Sequence, residues 1–541
     1  KHVASGLMNA GVKPGDRVGL LMENRPEWAV IDYAILSIGA VTVPLYCSYR
    51  PQDMAYVLKD SGATLVFTSG GELLRHLKTA VAEFDSKLVK KIYACDDLGD
   101  DPGDMVHDLA EIEGSELDEE RLNRRLAKIK RDQLATLVYT SGTTASPKGV
   151  MLTHGNILTN LEAVPAVISL LREERLLSFL PLAHTLERTG GHFLPYSYGI
   201  SVAFAERPDT VAKNLGEAQP TMMMTVPRML EVIRSRILAQ VSKQSSFKQK
   251  MFNSYFDLAK KEKPGLIEGM TLKLLDRVVG QKVRDRFGGK LRVLISGGAP
   301  LSVEIGQFFE TLGLPILEGY GLSESAPLLA VNPMVGRRIG TVGLVAKGVE
   351  IKIAEDGEIL ARGGNIMPGY WKNKKATKEA LIDGWLQTGD IGEFDKDGHL
   401  KITDRKKDLI VNSGGENIAP QRVEAPLIAE TLIEQIVVYG DQRPYLVAML
   451  VPNKEACMAW AEESGMPKSG WHELASSDVL RKHLQSQIQQ RLKLLNAHEQ
   501  VRRIYIQIDP FTIENGFLTP TLKLKRRLIY DHYAEIFESL Y

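Results

Sequence analysis

Cysteine is scarce in this chain. Three cysteines occur in 541 residues, which excludes the disulfide framework that holds small secreted domains together. Cys47, Cys95 and Cys457 lie far apart in the sequence and match no metal-binding spacing. The cysteine content therefore predicts a reducing, cytoplasmic setting. No cysteine lies near the motifs described below, which argues against an enzyme-bound thioester.

Net charge and long hydrophobic runs are also absent. The 67 Lys and Arg balance the 67 Asp and Glu, so nothing predicts bulk attraction to nucleic acid or to anionic lipid. The most apolar run, Trp28 to Tyr46, is interrupted by Asp32 and Pro44, which predicts a buried helix and then a strand rather than a membrane span. The polar, lysine-bearing stretch 242–265 predicts exposed helix, with contact to a membrane surface as the alternative.

The start of the chain shows no signal peptide, and the first residue is Lys1 rather than methionine. We expect a further N-terminal segment to precede it. That expectation leaves targeting, membrane attachment and a homodimer open.

The length indicates several domains, because single hydrophobic cores rarely grow beyond about 250–300 residues. In the first part of the chain, short apolar runs alternate with amphipathic patterns such as 228–241. Several runs are continuously apolar, as in strands that are buried on both faces. The alternation predicts a layered α/β architecture with parallel sheets. Strands are predicted at 17–22, 41–46, 64–69, 136–141, 201–205, 221–226 and 291–296.

The pattern of apolar and polar residues changes from about Ile339. The stretches 349–363 and 391–405 each consist of two alternating runs joined by an Asp-Gly pair, and such a pair is a strong hairpin signal. The charged sequence "TDRKKD", 403–408, predicts a hinge.

Beyond the hinge, the runs 435–440, 445–452 and 501–509 predict strands of a small α+β domain. We therefore predict a large N-terminal domain at 1–403, which includes a small antiparallel β unit at about 339–403. It is hinged to a C-terminal domain at 404–541.

A loop suited to phosphate occurs at Tyr139 to Gly149, "YTSGTTASPKG". It differs from the Walker loop because Pro147 precedes the lysine and no Ser or Thr follows it. From composition alone, a phosphate loop and a plain surface turn stay equally open. The residues that could hold phosphate are Thr140, Ser141, Gly142, Thr143, Thr144 and Lys148.

The longer stretch "YTSGTTASPKGVMLTH" resembles the signature loop of the adenylate-forming superfamily of acyl-CoA synthetases, luciferases and adenylation domains. Further motifs follow in the family's order along nearly the whole chain. "LISGGAPLS" resembles the adenine-side loop, "EGYGLSESAP" the core motif and "WLQTGDIG" the ribose motif. The resemblance implies ATP-binding roles for Gly297, Gly298, Ala299, Gly319, Tyr320, Gly321, Ser323, Asp390 and Arg405, in addition to the phosphate loop.

Specific roles follow from the same resemblance. Tyr320 is expected to stack on adenine, Asp390 to accept hydrogen bonds from the ribose hydroxyls, and Arg405 to reach ribose or phosphate. Glu324 is expected to ligate Mg²⁺, for which carboxylate oxygen is a preferred ligand. A serine-hydrolase elbow is disfavoured, because Ser325 stands where G-x-S-x-G requires glycine.

The hinge region and the C-terminus also resemble the family. Asp404 is the expected pivot, Gly414 and Gly415 are expected to line the coenzyme A path after rotation, and Lys406 and Lys407 are interpreted as surface charge. "LTPTLKLKRR" resembles the catalytic lysine segment of long-chain fatty acyl-CoA synthetases. Lys523 aligns with the catalytic lysine and Lys525 is its rival, while Leu522 replaces the glycine that many relatives have before that lysine.

The acyl pocket is the least determined part of the sequence. "PLAHTLER" resembles a long-chain synthetase segment, which makes His184 the candidate gate, with a structural histidine as the alternative. Met222 to Met224 suit either an alkyl tunnel or an ordinary buried strand.

The resemblance implies a ligase that uses ATP, Mg²⁺, coenzyme A and a fatty acid, the fatty acid being long-chain. The alternatives are a ligase that loads a carrier protein and a nucleotide-binding sensor without turnover. No nucleic-acid partner is predicted.

Overall fold

The computed structural model describes residues 1–84, 88–99, 103–140, 147–261, 265–466, 470–519 and 522–541. Its first sheet has the strand order β7-β6-β2-β1-β3-β4-β5. The pairs are parallel except for β6 with β7, and the central strands are buried on both faces. The strands are β1 (Arg17–Leu21), β2 (Val41–Leu45), β3 (Leu65–Thr68), β4 (Lys91–Ala94), β5 (Val106–Asp108), β6 (Leu134–Thr140) and β7 (Lys148–Thr153).

Helices flank this sheet. The apolar run from Trp28 forms a buried helix and then β2, as predicted, and no helix in the described ranges is long and apolar enough to cross a bilayer. The helices are α1 (His2–Asn9), α2 (Pro26–Ser37), α3 (Pro51–Ser61), α4 (Gly71–Phe84), α5 (Leu109–Glu113), α6 (Glu119–Leu126) and α7 (His154–Ala163).

A second sheet follows, with the order β14-β13-β12-β11-β10-β8-β9. Its central pairs are parallel, and β13 pairs antiparallel with both β12 and β14. The strands are β8 (Arg175–Ser178), β9 (Ser201–Phe204), β10 (Met222–Thr225), β11 (Val293–Ser296), β12 (Ile316–Gly321), β13 (Leu328–Val331) and β14 (Leu344–Val345). The helices are α8 (Thr185–Glu187), α9 (Leu194–Tyr198), α10 (Val211–Ala218), α11 (Pro227–Ser242), α12 (Ser246–Ala259), α13 (Leu266–Leu275), α14 (Gln281–Arg286) and α15 (Val303–Thr311).

The small β unit is confirmed as an antiparallel sheet. Gly357 and Gly398 have φ of 83° and 82°, the left-handed region that glycine adopts without strain, so both Asp-Gly hairpins form as predicted. The elements are β15 (Val349–Ile353), β16 (Glu358–Gly363), β17 (Gly369–Tyr370), α16 (Lys374–Ala380), β18 (Leu381–Ile382), β19 (Trp385–Phe394) and β20 (Leu400–Arg405). Of these, β17 pairs with β7 and joins the first sheet.

The C-terminal part has its own sheet and its own hydrophobic core. The strands are β21 (Ile410–Val411), β22 (Asn417–Ile418), β23 (Ile433–Tyr439), β24 (Leu446–Pro452) and β25 (Val501–Ile506). The helices are α17 (Pro420–Ile428), α18 (Lys454–Glu463), α19 (Trp471–Ala475), α20 (Asp478–Leu492), α21 (Arg526–His532) and α22 (Ala534–Glu538). Short 3₁₀ helices lie at Val164–Ala166, Pro208–Thr210, Ser323–Ser325 and Ala497–Glu499, and π-helical turns at Arg188–Phe193 and Asp276–Gly280.

Two sets of ion pairs hold this C-terminal part against the second sheet's helices. Arg228 on α11 pairs with Glu434 at 2.9 Å, and Arg491 on α20 pairs with Glu304 on α15 at 2.8 Å. The cleft described next lies between the parts that these pairs join.

Candidate functional site

One cavity of about 2680 Å³ contains most of the predicted site residues. The strand ends of both large sheets, the small β unit and the C-terminal part all contribute to its wall, as expected for a ligand site at the ends of sheet strands. The lining includes Thr140, Lys148, His184, Gly297, Gly298, Gly319, Tyr320, Gly321, Ser323, Glu324, Arg405 and Lys523. Ser141, Gly142, Thr143 and Thr144 lie outside the described residues.

Glu324 has a defined hydrogen-bond partner in the cleft. The hydroxyl of Tyr370 donates to Glu324 Oε1 at 2.7 Å, and the Lys148 ammonium lies 5.2 Å from the centre of the Tyr370 ring. Burial and the neighbouring Glu324 raise the pKa of Tyr370 far above its ordinary value, so the phenol stays protonated and remains a donor.

Sequence reasoning missed Tyr370. A tyrosine in a short strand is read as a core residue, and its distance of 46 positions from Glu324 gives no sequence signal. It reaches the cleft because β17 pairs with β7, the strand that begins at Lys148.

The carboxylate of Glu324 suits the predicted Mg²⁺. Mg²⁺ in nucleotide sites is held by one or two carboxylates together with substrate phosphates. Glu324 lines the cleft, is half-buried, and receives its hydrogen bond on Oε1. Among the described residues, no group of three or more His, Cys, Asp or Glu could hold a metal ion.

Asp390 lies behind the cleft wall rather than in it. It is 4% exposed, and its two oxygens accept hydrogen bonds from Tyr320 Oη at 2.8 Å and from Arg405 Nε at 2.9 Å. Tyr320 and Arg405 both line the cavity. The predicted ribose contact of Asp390 therefore requires Tyr320 or Arg405 to give way or to share its oxygens.

The predicted adenine-side loop follows β11. Gly297 and Gly298 line the cavity, Gly298 has φ of 85°, and Ala299 is exposed. A Cβ on Gly298 would lie 3.9 Å from Lys523 Cε. The loop and the lysine thus face each other across a narrow gap, although they come from different parts of the molecule.

The two candidate lysines point to different surroundings. Lys523 lines the cleft. The protein atoms that surround its amine displace part of its hydration, and this, together with the charge of Arg405, lowers its pKa to about 8. Lys525 lies near Arg50 and Asp53 at the start of α3, and burial lowers its pKa. Lys523 is therefore the lysine beside the predicted nucleotide residues.

A strained turn presents Lys523. Leu522 has φ of 61°, a left-handed conformation that costs a non-glycine residue about 1–2 kcal/mol. The Leu522 N–H donates to the Thr519 carbonyl at 2.8 Å, and the Thr519 N–H donates to the Lys523 carbonyl at 2.8 Å. The turn thus adopts the conformation of a glycine at the position where many relatives have one.

His184 lines the cleft and also caps a helix. Its Nδ1 accepts the Leu186 N–H at 3.2 Å, at the start of α8. Burial and the nearby Lys523 lower the pKa of His184 to about 3. The ring is neutral near pH 7, and because Nδ1 accepts a hydrogen bond, its proton is on Nε2. The structural and the gating interpretations of His184 are thus compatible.

The apolar end of the cavity lies beside β10. Met222 and Met224 line it, while Met223 points to the opposite face of the sheet and is fully buried, as strand alternation requires. Gly190 is part of the same wall, and a Cβ there would lie 2.6 Å from Met224 Cε. Ile168, Ile295, Leu317 and Val331 complete an apolar lining.

The predicted hinge contains a buried carboxylate, that of Asp404. Asp404 is 1% exposed, its Oδ1 accepts the Arg405 N–H at 2.5 Å, and its Oδ2 has no hydrogen-bond partner among the described residues. Burial raises the pKa of Asp404 to about 7. Lys406 is more than a bare surface charge, since it pairs with Asp356 at 2.6 Å and with Glu358 at 2.8 Å.

Gly414 and Gly415 lie away from the cavity in this arrangement. Both are exposed and neither belongs to its lining. Their predicted contact with coenzyme A requires the predicted rotation of the C-terminal domain.

Family models match nearly the whole chain. Residues 1–371 match the AMP-binding enzyme family, and residues 407–541 match the AMP-binding enzyme C-terminal domain. The chain belongs to the AMP-binding enzyme family.

Curated relatives of this family member align over its full length. It is 36% identical to the long-chain-fatty-acid–CoA ligase FadD15 of Mycobacterium bovis, covering 100% of this chain and 90% of the relative. It is 31% identical to the peroxisomal long chain acyl-CoA synthetase 6 of Arabidopsis thaliana, covering 100% of this chain and 80% of the relative.

The fold also matches that of solved structures. The adenylation domain of a carboxylate reductase from Mycobacterium chelonae superposes with a TM-score of 0.75 at 24% identity, covering 100% of this chain and 82% of that domain. The predicted α/β fold, with a large N-terminal and a small C-terminal part, is thus confirmed.

Proposed function

We propose that this AMP-binding enzyme activates a long-chain fatty acid with ATP, releases pyrophosphate, and transfers the acyl group to coenzyme A. The proposal rests on the observation that one cavity has both a polar and an apolar lining. Lys148, Glu324 and Lys523 lie at its polar end, and Met222 and Met224 at its apolar end. Its relatives include proteins named long-chain-fatty-acid–CoA ligase and long chain acyl-CoA synthetase.

In the first half-reaction, a carboxylate oxygen of the fatty acid attacks the α-phosphorus of ATP. The bond from that phosphorus to the bridging oxygen breaks, and pyrophosphate leaves. Both reactants are anions, so positioning and charge neutralisation must supply most of the rate enhancement. Lys148, behind the phosphate loop, and Lys523, facing the adenine-side loop, are the protein cations that we assign to this task.

Glu324 is the residue that we assign to Mg²⁺, which when bound would neutralise phosphate charge in this half-reaction. The Tyr370 hydroxyl orients that carboxylate. The neutral His184 keeps an Nε2–H donor in the cavity lining, and we assign it to the carboxylate of the acid.

In the second half-reaction, the sulfur of coenzyme A attacks the acyl carbon and AMP leaves. We propose the domain division at 403/404, with rotation about Asp404 that removes Lys523 from the cleft and brings in Gly414 and Gly415. The alkyl tail would bind by burial of apolar surface, worth about 0.8 kcal/mol per CH₂. The setting we propose is the cytoplasm, with peripheral contact to a membrane.

The experiment that tests this function is ATP–pyrophosphate exchange that depends on a fatty acid, followed by addition of coenzyme A. We expect exchange with long-chain acids and a thioester after coenzyme A is added. Exchange without thioester would favour a ligase that loads a carrier protein. Absence of exchange with every acid offered would leave a nucleotide sensor and would refute the proposal.

A further inference from the structure

Helix α13 has two apolar faces, and one of them lies in water. Leu272 and Leu275 pack against the core of the second sheet. On the other side, Leu266, Met270 and Leu274 are 93%, 69% and 61% exposed, and their spacing of four places them along a single face. An apolar helix face is normally packed against protein or inserted into a membrane surface.

The exposed face continues onto neighbouring residues. Ile267 beside it is 81% exposed, Phe247 on the adjoining helix α12 is 72% exposed, and Val278 one turn further on is 44% exposed. Soluble proteins rarely leave large contiguous apolar patches open, and such patches commonly mark a contact site. We call the residues 247, 266, 267, 270, 274 and 278 the α13 patch.

The charge around the α13 patch is predominantly positive. The whole chain carries no net charge, but residues 243–282 contain nine Lys and Arg against four Asp and Glu. Exposed Lys273 and Arg277 follow Met270 and Leu274 by three positions, which puts them beside the patch. Two of the carboxylates in this stretch are already ion-paired, Glu268 with Lys261 and Asp276 with Arg284.

We propose that the α13 patch docks the enzyme onto an anionic membrane surface. Apolar side chains flanked by lysine and arginine are the composition that binds at the boundary between headgroups and acyl chains. A second copy of this chain is a poorer occupant, because a two-fold contact would set the same cationic surface against itself. Docking would bring the cavity close to the lipid bilayer, in which long-chain fatty acids dissolve. This consequence rests on the proposed function.

The experiment is co-sedimentation of the full chain with phospholipid vesicles. One set contains phosphatidylglycerol and phosphatidylcholine in equal parts, and the other contains phosphatidylcholine alone. The variant is Leu266→Ser/Met270→Ser/Leu274→Ser, whose side chains are exposed enough that the fold should be kept. The matched control is Val335→Ser/Leu494→Ser, which removes side chains that are 88% and 96% exposed outside the patch.

We expect the wild type and the control to bind the anionic vesicles, and the triple variant to bind them at least about tenfold more weakly, given the apolar area that three side chains bury. Failure of the wild type to bind, equal binding by the triple variant, or equal binding to phosphatidylcholine alone would each overturn the proposal. So would self-association that the triple variant abolishes while vesicles go unbound, which would assign the patch to a second copy.

ATP–pyrophosphate exchange with a soluble acid such as octanoate is measured in parallel and should be unchanged in the triple variant. Loss of exchange in every protein, with vesicle binding intact, would refute the proposed function and leave the docking surface standing.

Discussion

Lys523 has an amine that loses its proton unusually easily, because the cleft removes water from it and Arg405 lies nearby. The charged form is the one that can stabilise a pentacoordinate phosphorus. At the scale of single residues, the proposed chemistry therefore requires that this amine is present, charged and oriented.

Removing the amine should affect the first half-reaction most. We expect Lys523→Ala to lose about 2.7–4 kcal/mol of transition-state stabilisation, the range for one preorganised donor, measured as kcat/KM for acid-dependent pyrophosphate release. Lys525→Ala is the matched control and should lose less than about tenfold, because that side chain lies near Arg50 and Asp53 instead. If Lys523→Ala released pyrophosphate at the wild-type rate, the assignment of Lys523 to adenylation would be refuted.

The same amine predicts a pH dependence. Lys523 is protonated below a pKa of about 8, so kcat/KM for adenylation should fall as the pH rises through about 8 in the free enzyme. Lys523→Arg stays charged throughout this range and should show lower activity without that alkaline decline. An identical decline in both proteins would place the titrating group elsewhere.

Tyr370 offers a test of how Glu324 is positioned. Tyr370→Phe removes a hydrogen bond to a carboxylate, worth about 1.5–3 kcal/mol, and should weaken Mg²⁺-dependent adenylation roughly tenfold or more. The readout is the Mg²⁺ concentration that gives half-maximal exchange, which should rise. Tyr196→Phe serves as the control, because Tyr196 is 41% exposed and lies outside the cavity lining. If the Mg²⁺ response of Tyr370→Phe were unchanged, a role of Tyr370 in positioning Glu324 would be excluded.

Secondary-structure elements decide how these side chains reach the cleft. An isolated β-bridge between Leu518 and Leu524 closes the segment that carries Lys523, one residue before Leu524. The strand β17 carries Tyr370 from the small β unit to the first sheet. Neither element is long, and each owes its place to its pairing partner rather than to its own sequence.

The turn before Lys523 can be tested with two substitutions at one position. Leu522 has φ of 61°, so Leu522→Gly should keep or raise adenylation, because glycine adopts this conformation without strain. Leu522→Val should lower it, because a β-branched residue strongly resists positive φ. Exchange rates and thermal midpoints of the two variants give the comparison, and a valine variant as active as the glycine variant would contradict the importance of this turn.

At the scale of the whole molecule, two parts with separate cores meet over one cavity. The pairs Arg228–Glu434 and Arg491–Glu304 hold the C-terminal part where Lys523 faces the adenine-side loop. In this arrangement Gly414 and Gly415 do not line the cavity, so we assign it to the first half-reaction of the proposed mechanism.

The proposed rotation predicts different effects on the two half-reactions. Asp404→Pro fixes φ at the predicted pivot and should spare adenylation more than thioester formation, both measured in single turnovers. Because Asp404 lies in β20, a retained circular dichroism spectrum and retained adenylation are needed to show that the strand survives. Equal damage to both steps would count against the pivot.

The residues alone were sufficient for much of the architecture. Continuous apolar runs predicted the buried parallel strands, and Asp-Gly pairs predicted the hairpins. Both signals are local, because each depends on the conformation of a few neighbouring residues. The signature loops were also readable, because the resemblance to the family rests on short, closely spaced motifs. The predicted roles within the site and the division at 403/404 remain predictions.

Tertiary structure alone decided which groups meet. The partners of Asp390 are 70 and 15 residues away, Tyr370 is 46 residues from Glu324, and the apolar face of α13 is revealed as exposed only when its other face is packed. Hydrogen bonds, burial and pKa values depend on distances through space, and a linear pattern contains no information on those distances until the chain has folded.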